Sequence, residues 1–251
     1  MVEFSPGTPL VIGILADVSG SMRGSIGSIG TSAINRLEAF SAALEDLVKR
    51  AAASVHELSR GPTPTAVRFF AYGFGFGNAL SAFLGRGGPN VRDLFAPNGE
   101  GERTVDVLDL ASNWEMYLAN VRSMSIDMFG TTPMREALEV ARSRFAAEIS
   151  GNPVASVLFI LSDGDPTDGD RSSILRIVGD IRQSGTIVVS CFVTDVDITE
   201  PQRLYGQYQV GWSNAAKLMF DCASRVNNTG PRRTMQVASK AHPERPHQQM
   251  N

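Results

Sequence analysis

Asp17-Val18-Ser19-Gly20-Ser21 sets a carboxylate and two hydroxyls at alternate positions, with a glycine that lets the backbone fold tightly. Three side-chain oxygens can therefore converge on one point. A second carboxylate closes an apolar run in Leu161-Ser162-Asp163-Gly164-Asp165, and a hydroxyl precedes a helix-like stretch in Gly130-Thr131-Thr132-Pro133. Carboxylates, hydroxyls and water, with neither His nor Cys, are the donors that a hard divalent cation such as Mg2+ prefers. Each piece alone also has a simpler reading. Asp17 and Ser19 suit an Asx turn, Thr132 a helix N-cap, and Asp163-Gly164 a tight turn.

The elements that must position these groups show as apolar runs alternating with amphipathic stretches. Pro9 to Ala16, Val154 to Leu161 and Thr186 to Val193 are short continuous apolar runs, the pattern of strands covered on both faces, and Ala66 to Tyr72 is a fourth strand. Helices are predicted from Ile34 to Leu58, Pro133 to Ile149, Ser172 to Gln183 and Ala215 to Val226, from apolar positions three and four apart. Pro133 suits the first helical position. Gly61-Pro62-Thr63-Pro64 stops the first helix, Gly73 to Arg103 reads as a surface excursion with little regular structure, Val105 to Leu110 as a strand, and Trp114 to Met124 as a helix. Strand, helix and strand alternate, so the expected fold is α/β: a doubly wound, Rossmann-like, mostly parallel central sheet with helices on both faces. In such a sheet ligands bind beyond the carboxyl ends of the strands, where Asp17 and Asp163 fall.

The chain's 251 residues suffice for one large domain without disulfides or structural metal. With 23 basic and 26 acidic residues the net charge is −3, which gives no field favouring nucleic acid or an anionic membrane. No window approaches the roughly 20 apolar residues of a membrane span, and the first residues lack a signal-peptide pattern. Cys191 and Cys222 are too few for a disulfide framework and read as buried reduced thiols. The expected location is cytoplasmic. Residues 229–251 are polar, with four Lys/Arg, one Glu, two His and three Pro, and read as a flexible tail beyond a domain of residues 1–228.

The three motif segments together resemble the metal-ion-dependent adhesion site (MIDAS) of the von Willebrand factor type A (VWA) domain family. The family pattern of Asp-x-Ser-x-Ser, a distant Thr and a further Asp is matched by Asp17, Ser19 and Ser21, then Thr132, then Asp163, over roughly residues 8–228. Thr131 stands where the family usually has a second glycine. The resemblance implies that Ser19, Ser21 and Thr132 supply hydroxyl ligands to Mg2+ or Mn2+, with Ca2+ less favoured, and that Asp17 and Asp163 bind directly or through water. It also implies a protein partner whose Asp or Glu carboxylate completes the coordination. The metal is then a docking point, and no enzymatic activity is expected. Intracellular VWA proteins of bacterial tellurium-resistance and related stress or defence clusters are the nearest comparison.

The alternative is a metal-dependent phosphoester hydrolase at the same edge, which lacks a nucleophile or base that is not already a ligand. Neither a Walker lysine nor a G-x-G-x-x-G fingerprint supports phosphate binding, and Asp163, Asp165, Asp168 and Asp170 lack the calcium-loop spacing. Asp165 and Asp168 read as a solvated loop beside the site. The Gly-Ser-Ile repeat within Met22 to Gly30 reads as a rim, Phe69, Phe70, Tyr72, Phe74 and Phe76 as strand and core, and Trp114 and Trp212 as packing. His56, His242 and His247 have no adjacent nucleophile, so no triad is assembled.

Overall fold

The computed structural model describes residues 8–23, 36–58, 66–84, 88–150, 154–194 and 205–225. The expected tail, most of the Gly-Ser-Ile rim, the Gly61 to Pro64 stop, Val226, His242 and His247 lie outside them.

Strand β1 (Leu10–Asp17) is apolar until its last residue because it is the sheet's middle strand. It pairs in parallel with β2 (Val67–Phe74) on one side and β5 (Ala155–Ser162) on the other. Strand β6 (Ile187–Phe192) extends the parallel array beyond β5. Two short strands, β3 (Val91–Asp93) and β4 (Val105–Asp106), pair antiparallel with β2, so the sheet is mixed and mostly parallel. Its order is β3-β2-β1-β5-β6, with β4 also on β2.

Helices cover both faces. On one, α1 (Arg36–Leu58) buries Leu44, Val48, Ala52 and Val55 beside α3 (Val107–Ser112) and α4 (Trp114–Ser123). On the other, α5 (Met134–Ile149) buries Met134, Ala137, Leu138, Ala141 and Phe145, and α6 (Arg171–Gln183) and α7 (Asn214–Cys222) complete the layer. Burying such residues contributes about 1.5–3 kcal/mol for each large side chain. The connection through α1 carries the chain from β1 to β2, whereas β5 lies on β1's opposite side. The order therefore reverses at β1, and in an open α/β sheet ligands bind at such a point, beyond the carboxyl ends of β1 and β5.

Three expectations need correction. The stretch from Gly73 to Arg103 is not a structureless excursion: it contains α2 (Ala79–Phe83), β3 and a short 3-10 turn at Pro97–Gly99, and residues 91–96 are buried. Arg92 there reaches Asp127 at 2.8 Å, with only 7% and 11% of the two side chains exposed. The strand expected over Val105 to Leu110 stops at Asp106, because the Asp106 carboxylate accepts the Leu108 N–H and starts α3. The last helix ends at Cys222, and Ser224 instead bonds Val188 of β6 at backbone and side chain. The strand aromatics do form core: Phe69, Phe70, Tyr72, Phe74 and Phe76 are all buried. Both cysteines are free thiols, and burial pushes them up to about 11 for Cys191 and about 12 for Cys222.

Candidate functional site

At the carboxyl end of β1 the chain turns sharply. The Ser19 N–H donates to Asp17 Oδ1 at 2.9 Å, the expected Asx-type turn, and the Ser19 and Ser21 hydroxyls lie 3.0 Å apart. Asp17 is 4% exposed and Ser19 is buried. From β5, the Ser162 hydroxyl donates to Asp17 Oδ2 at 2.6 Å and accepts the Gly164 N–H at 2.9 Å. This bridge holds Asp163, the next residue, close to Asp17 at the end of β5. Burial raises the Asp17 carboxyl to about 6, against the lowering effect of bonds from Ser162 and Ser19, and the Asp163 charge adds to the rise. Oδ1 of Asp163 is buried without a hydrogen-bond partner.

The third segment is held against these two through the backbone. The Phe129 N–H donates to Val18 O at 2.8 Å, Gly20 N–H to Gly130 O at 3.0 Å, and Gly130 N–H to Gly75 O at 2.7 Å. Phe129 takes φ 73°, a left-handed backbone that a bulky residue rarely adopts. The three backbones are so close that a Cβ on Gly130 would stand 2.5 Å from Phe76 O, and one on Gly75, itself at φ 108°, 2.5 Å from Ser19 N. Gly130→Ala is thus expected to destabilise the protein by about 1–3 kcal/mol, a loss that urea unfolding would register.

Thr132 is buried and Thr131 is exposed. Its backbone bonds Thr167 twice: Thr132 N–H to Thr167 Oγ1 at 3.0 Å, and Thr167 N–H to Thr132 O at 2.9 Å. The N-cap of α5 is Pro133, with no side-chain cap of its own, so Thr132 is not the cap and Pro133 is not the first helical residue. Asp168 takes that role, accepting the N–H groups of Arg135 and Glu136 at 3.0 and 2.8 Å. Asp168 is therefore not the solvated loop residue expected from the acidic run, although Asp165 is exposed. Ser162, Thr167 and Asp168 escape sequence reading because their partners lie 145, 35 and 33 residues away.

All five motif residues thus reach the same sheet edge: hydrogen bonds join Asp17, Ser19 and Ser21 directly, and Thr132 and Asp163 arrive through their neighbours. The donors are two carboxylates and three hydroxyls. Among the described residues no three His, Cys, Asp or Glu side chains gather anywhere, so a cation here would depend on the hydroxyls.

No family model and no curated protein matches the chain. Among solved structures, the manganese-loaded TRAP protein of Plasmodium vivax aligns with 94% of this chain and 70% of its own, at 14% identity and TM-score 0.50. A von Willebrand factor type A protein from Catenulispora acidiphila aligns with 74% of this chain, at 16% identity and TM-score 0.45. The chain has a Rossmann-like, mostly parallel α/β fold like that of the TRAP protein. The conserved hypothetical protein BatB from Bacteroides thetaiotaomicron aligns with 74% of the chain at 16% identity and TM-score 0.47. This chain spans 66% of BatB and 34% of the Catenulispora protein. At such identities the likeness is one of fold.

Proposed function

We propose that this VWA-like protein is a non-enzymatic interaction module whose strand-end site binds a divalent cation and through it the carboxylate of a partner protein. The observation that carries this reading is the buried Asp17 carboxylate facing Asp163, whose inner oxygen has no hydrogen-bond partner. Two carboxylates so placed repel one another, and an oxygen-seeking cation would relieve both the repulsion and the missing bond. Asp17, Ser19, Ser21, Thr132 and Asp163 would hold it, and the cation would supply a Lewis-acidic docking point for an anionic oxygen.

Mg2+ or Mn2+ fits the donor set better than Ca2+, which takes more ligands. A manganese-loaded neighbour of like fold supports the same choice. Exposed apolar side chains after the carboxyl end of β2 favour a protein ligand: Leu80, Phe83 and Leu84 in and after α2, with Ile126 beside them. Nothing in the described site favours the hydrolase alternative: the Ser162 hydroxyl is spent on Asp17 and the Gly164 N–H. A cytoplasmic bacterial stress or defence setting, the boundary at residue 228 and the tail beyond it rest on the sequence alone. Among the described residues no helix is long and apolar enough to cross a membrane.

Calorimetric titration of metal-free protein with Mg2+ and Mn2+ tests the reading. One saturable site is expected, weakened at least about tenfold in Asp17→Ala and in Thr132→Ala. Unchanged binding in Asp17→Ala would overturn it. A partner captured in Mg2+ and released by EDTA would extend it to docking.

A further inference from the structure

We propose that Asp168 is a positioning residue: it caps α5 from another loop and thereby leaves the Thr132 hydroxyl for the cation. The proposal rests on the reading of Thr132 as a ligand.

A helix start leaves N–H groups in need of acceptors, and a Ser or Thr hydroxyl just before the helix is their usual partner. Thr-Thr-Pro before α5 offers two such hydroxyls, and neither is used. The Met134 N–H is satisfied by Thr132 O at 2.9 Å, and those of Arg135 and Glu136 by the two oxygens of Asp168. The carboxylate also complements the positive end of the helix. Arg135 Nε closes the contact on Asp168 O at 2.9 Å, while the paired bonds between Thr132 and Thr167 fix the residue next to each. The Thr132 side chain makes no hydrogen bond among the described residues, although the residue is buried.

Two consequences follow. The loop after β5 carries Asp163 at one end and Asp168 at the other, so one segment supplies a carboxylate to the site and fixes the helix that presents Thr132. Without Asp168, the nearest acceptor in sequence for the exposed N–H groups is the Thr132 hydroxyl, and turning it to them takes it from the site.

The test is calorimetric titration of Mn2+ into the full-length protein, as wild type, Asp168→Ala, Thr132→Ala and the double variant. Thermal unfolding in EDTA is recorded beside it. Asp168→Ala is expected to bind Mn2+ at least tenfold more weakly at a temperature where it is fully folded, and adding Thr132→Ala is expected to cost less than twofold more. Weak binding by Thr132→Ala with wild-type binding by Asp168→Ala would overturn the proposal, and so would additive losses in the double variant. Wild-type binding by Thr132→Ala would instead remove the ligand reading on which it stands. Should Asp168→Ala not fold, Asp168→Asn, which keeps one acceptor, gives the same comparison: a loss of at least threefold that disappears in the Thr132→Ala background supports the proposal, and wild-type affinity overturns it.

Discussion

Asp127→Ala is expected to lower the unfolding free energy by about 3–5 kcal/mol, the usual cost of stranding a buried charge. The charge is that of Arg92, whose Nη1 donates to Asp127 Oδ2 at 2.8 Å. Its only other described supports are the carbonyl of Pro89, 3.2 Å from Nε, and the face of Phe76, 4.8 Å from the guanidinium carbon. Neither neutralises a cation. Arg92→Ala should cost a comparable amount, because the carboxylate is left behind and the arginine stem no longer packs beneath Gly99 and Met124. Yet the pair is imperfectly satisfied, since Asp127 Oδ1 is buried without a partner. An apolar replacement of both residues, Arg92→Met with Asp127→Leu, should therefore stand closer to wild type than Asp127→Ala does. Urea unfolding of the two alanine variants and their double gives the coupling between the residues, expected at about 1–3 kcal/mol. Additive losses would show that the two side chains act independently.

That ion pair also shows why one half of the fold is hidden in the sequence. The central strands announce themselves because both faces of β1 and β5 meet apolar layers, which demands an uninterrupted apolar run. Val91-Arg92-Asp93 makes the opposite impression, with two charges in three residues. It is buried because Arg92 finds Asp127 and because Asp93 accepts the backbone N–H groups of Phe95 and Arg103. Neither partnership is visible in local periodicity. The start of α3 was open to reading: Asp106, followed three residues later by Asp109, is an N-terminal capping pattern, and the apolar Val105, Val107 and Leu108 obscured it.

The candidate site divides in the same way. Asp17, Ser19, Ser21, Thr132 and Asp163 could be picked out because the chemistry of their side chains is written in the residue types, and because strand ends and helix starts are marked in the sequence. The groups that orient them could not. Ser162 is an ordinary polar residue at a strand end until its hydroxyl is seen to bridge Asp17 and the Gly164 N–H. Asp168 sits in an acidic run that reads as solvated surface until the start of α5 arrives beside it. Candidate ligands advertise themselves by type, whereas the groups that orient them are defined by contacts across long sequence separations.

The metal-free protein is expected to become more stable when Asp17 is replaced by asparagine, although on the proposed reading the same change removes cation binding. The folded state holds the Asp17 carboxyl up to about 6 against its ordinary value of 3.8, chiefly through burial. Between those values the folded protein binds a proton that the unfolded chain has released, so this group's contribution to stability is greatest below about 4, falls as pH rises towards 6, and is lost above it. That rise corresponds to about 3 kcal/mol. The bonds from Ser19 N–H and Ser162 O–H already offset part of the burial cost in that figure, so what asparagine gives up is one acceptor oxygen, leaving a net gain of about 1–2 kcal/mol at pH 7.5. For a domain of this size that is a rise in melting temperature of about 2–8 °C in EDTA, shrinking towards zero or reversing at pH 4. Added Mn2+ should erase the advantage, because binding to the folded state stabilises the wild type in proportion to the logarithm of the metal concentration and leaves Asp17→Asn where it was. The two melting curves would then change order between EDTA and Mn2+. An Asp17→Asn protein that melts below wild type in EDTA at pH 7.5 would mean that the carboxylate's hydrogen bonds outweigh its burial. If Mn2+ moved neither protein, the acidic pair would be a strained feature of the fold with no cation to relieve it.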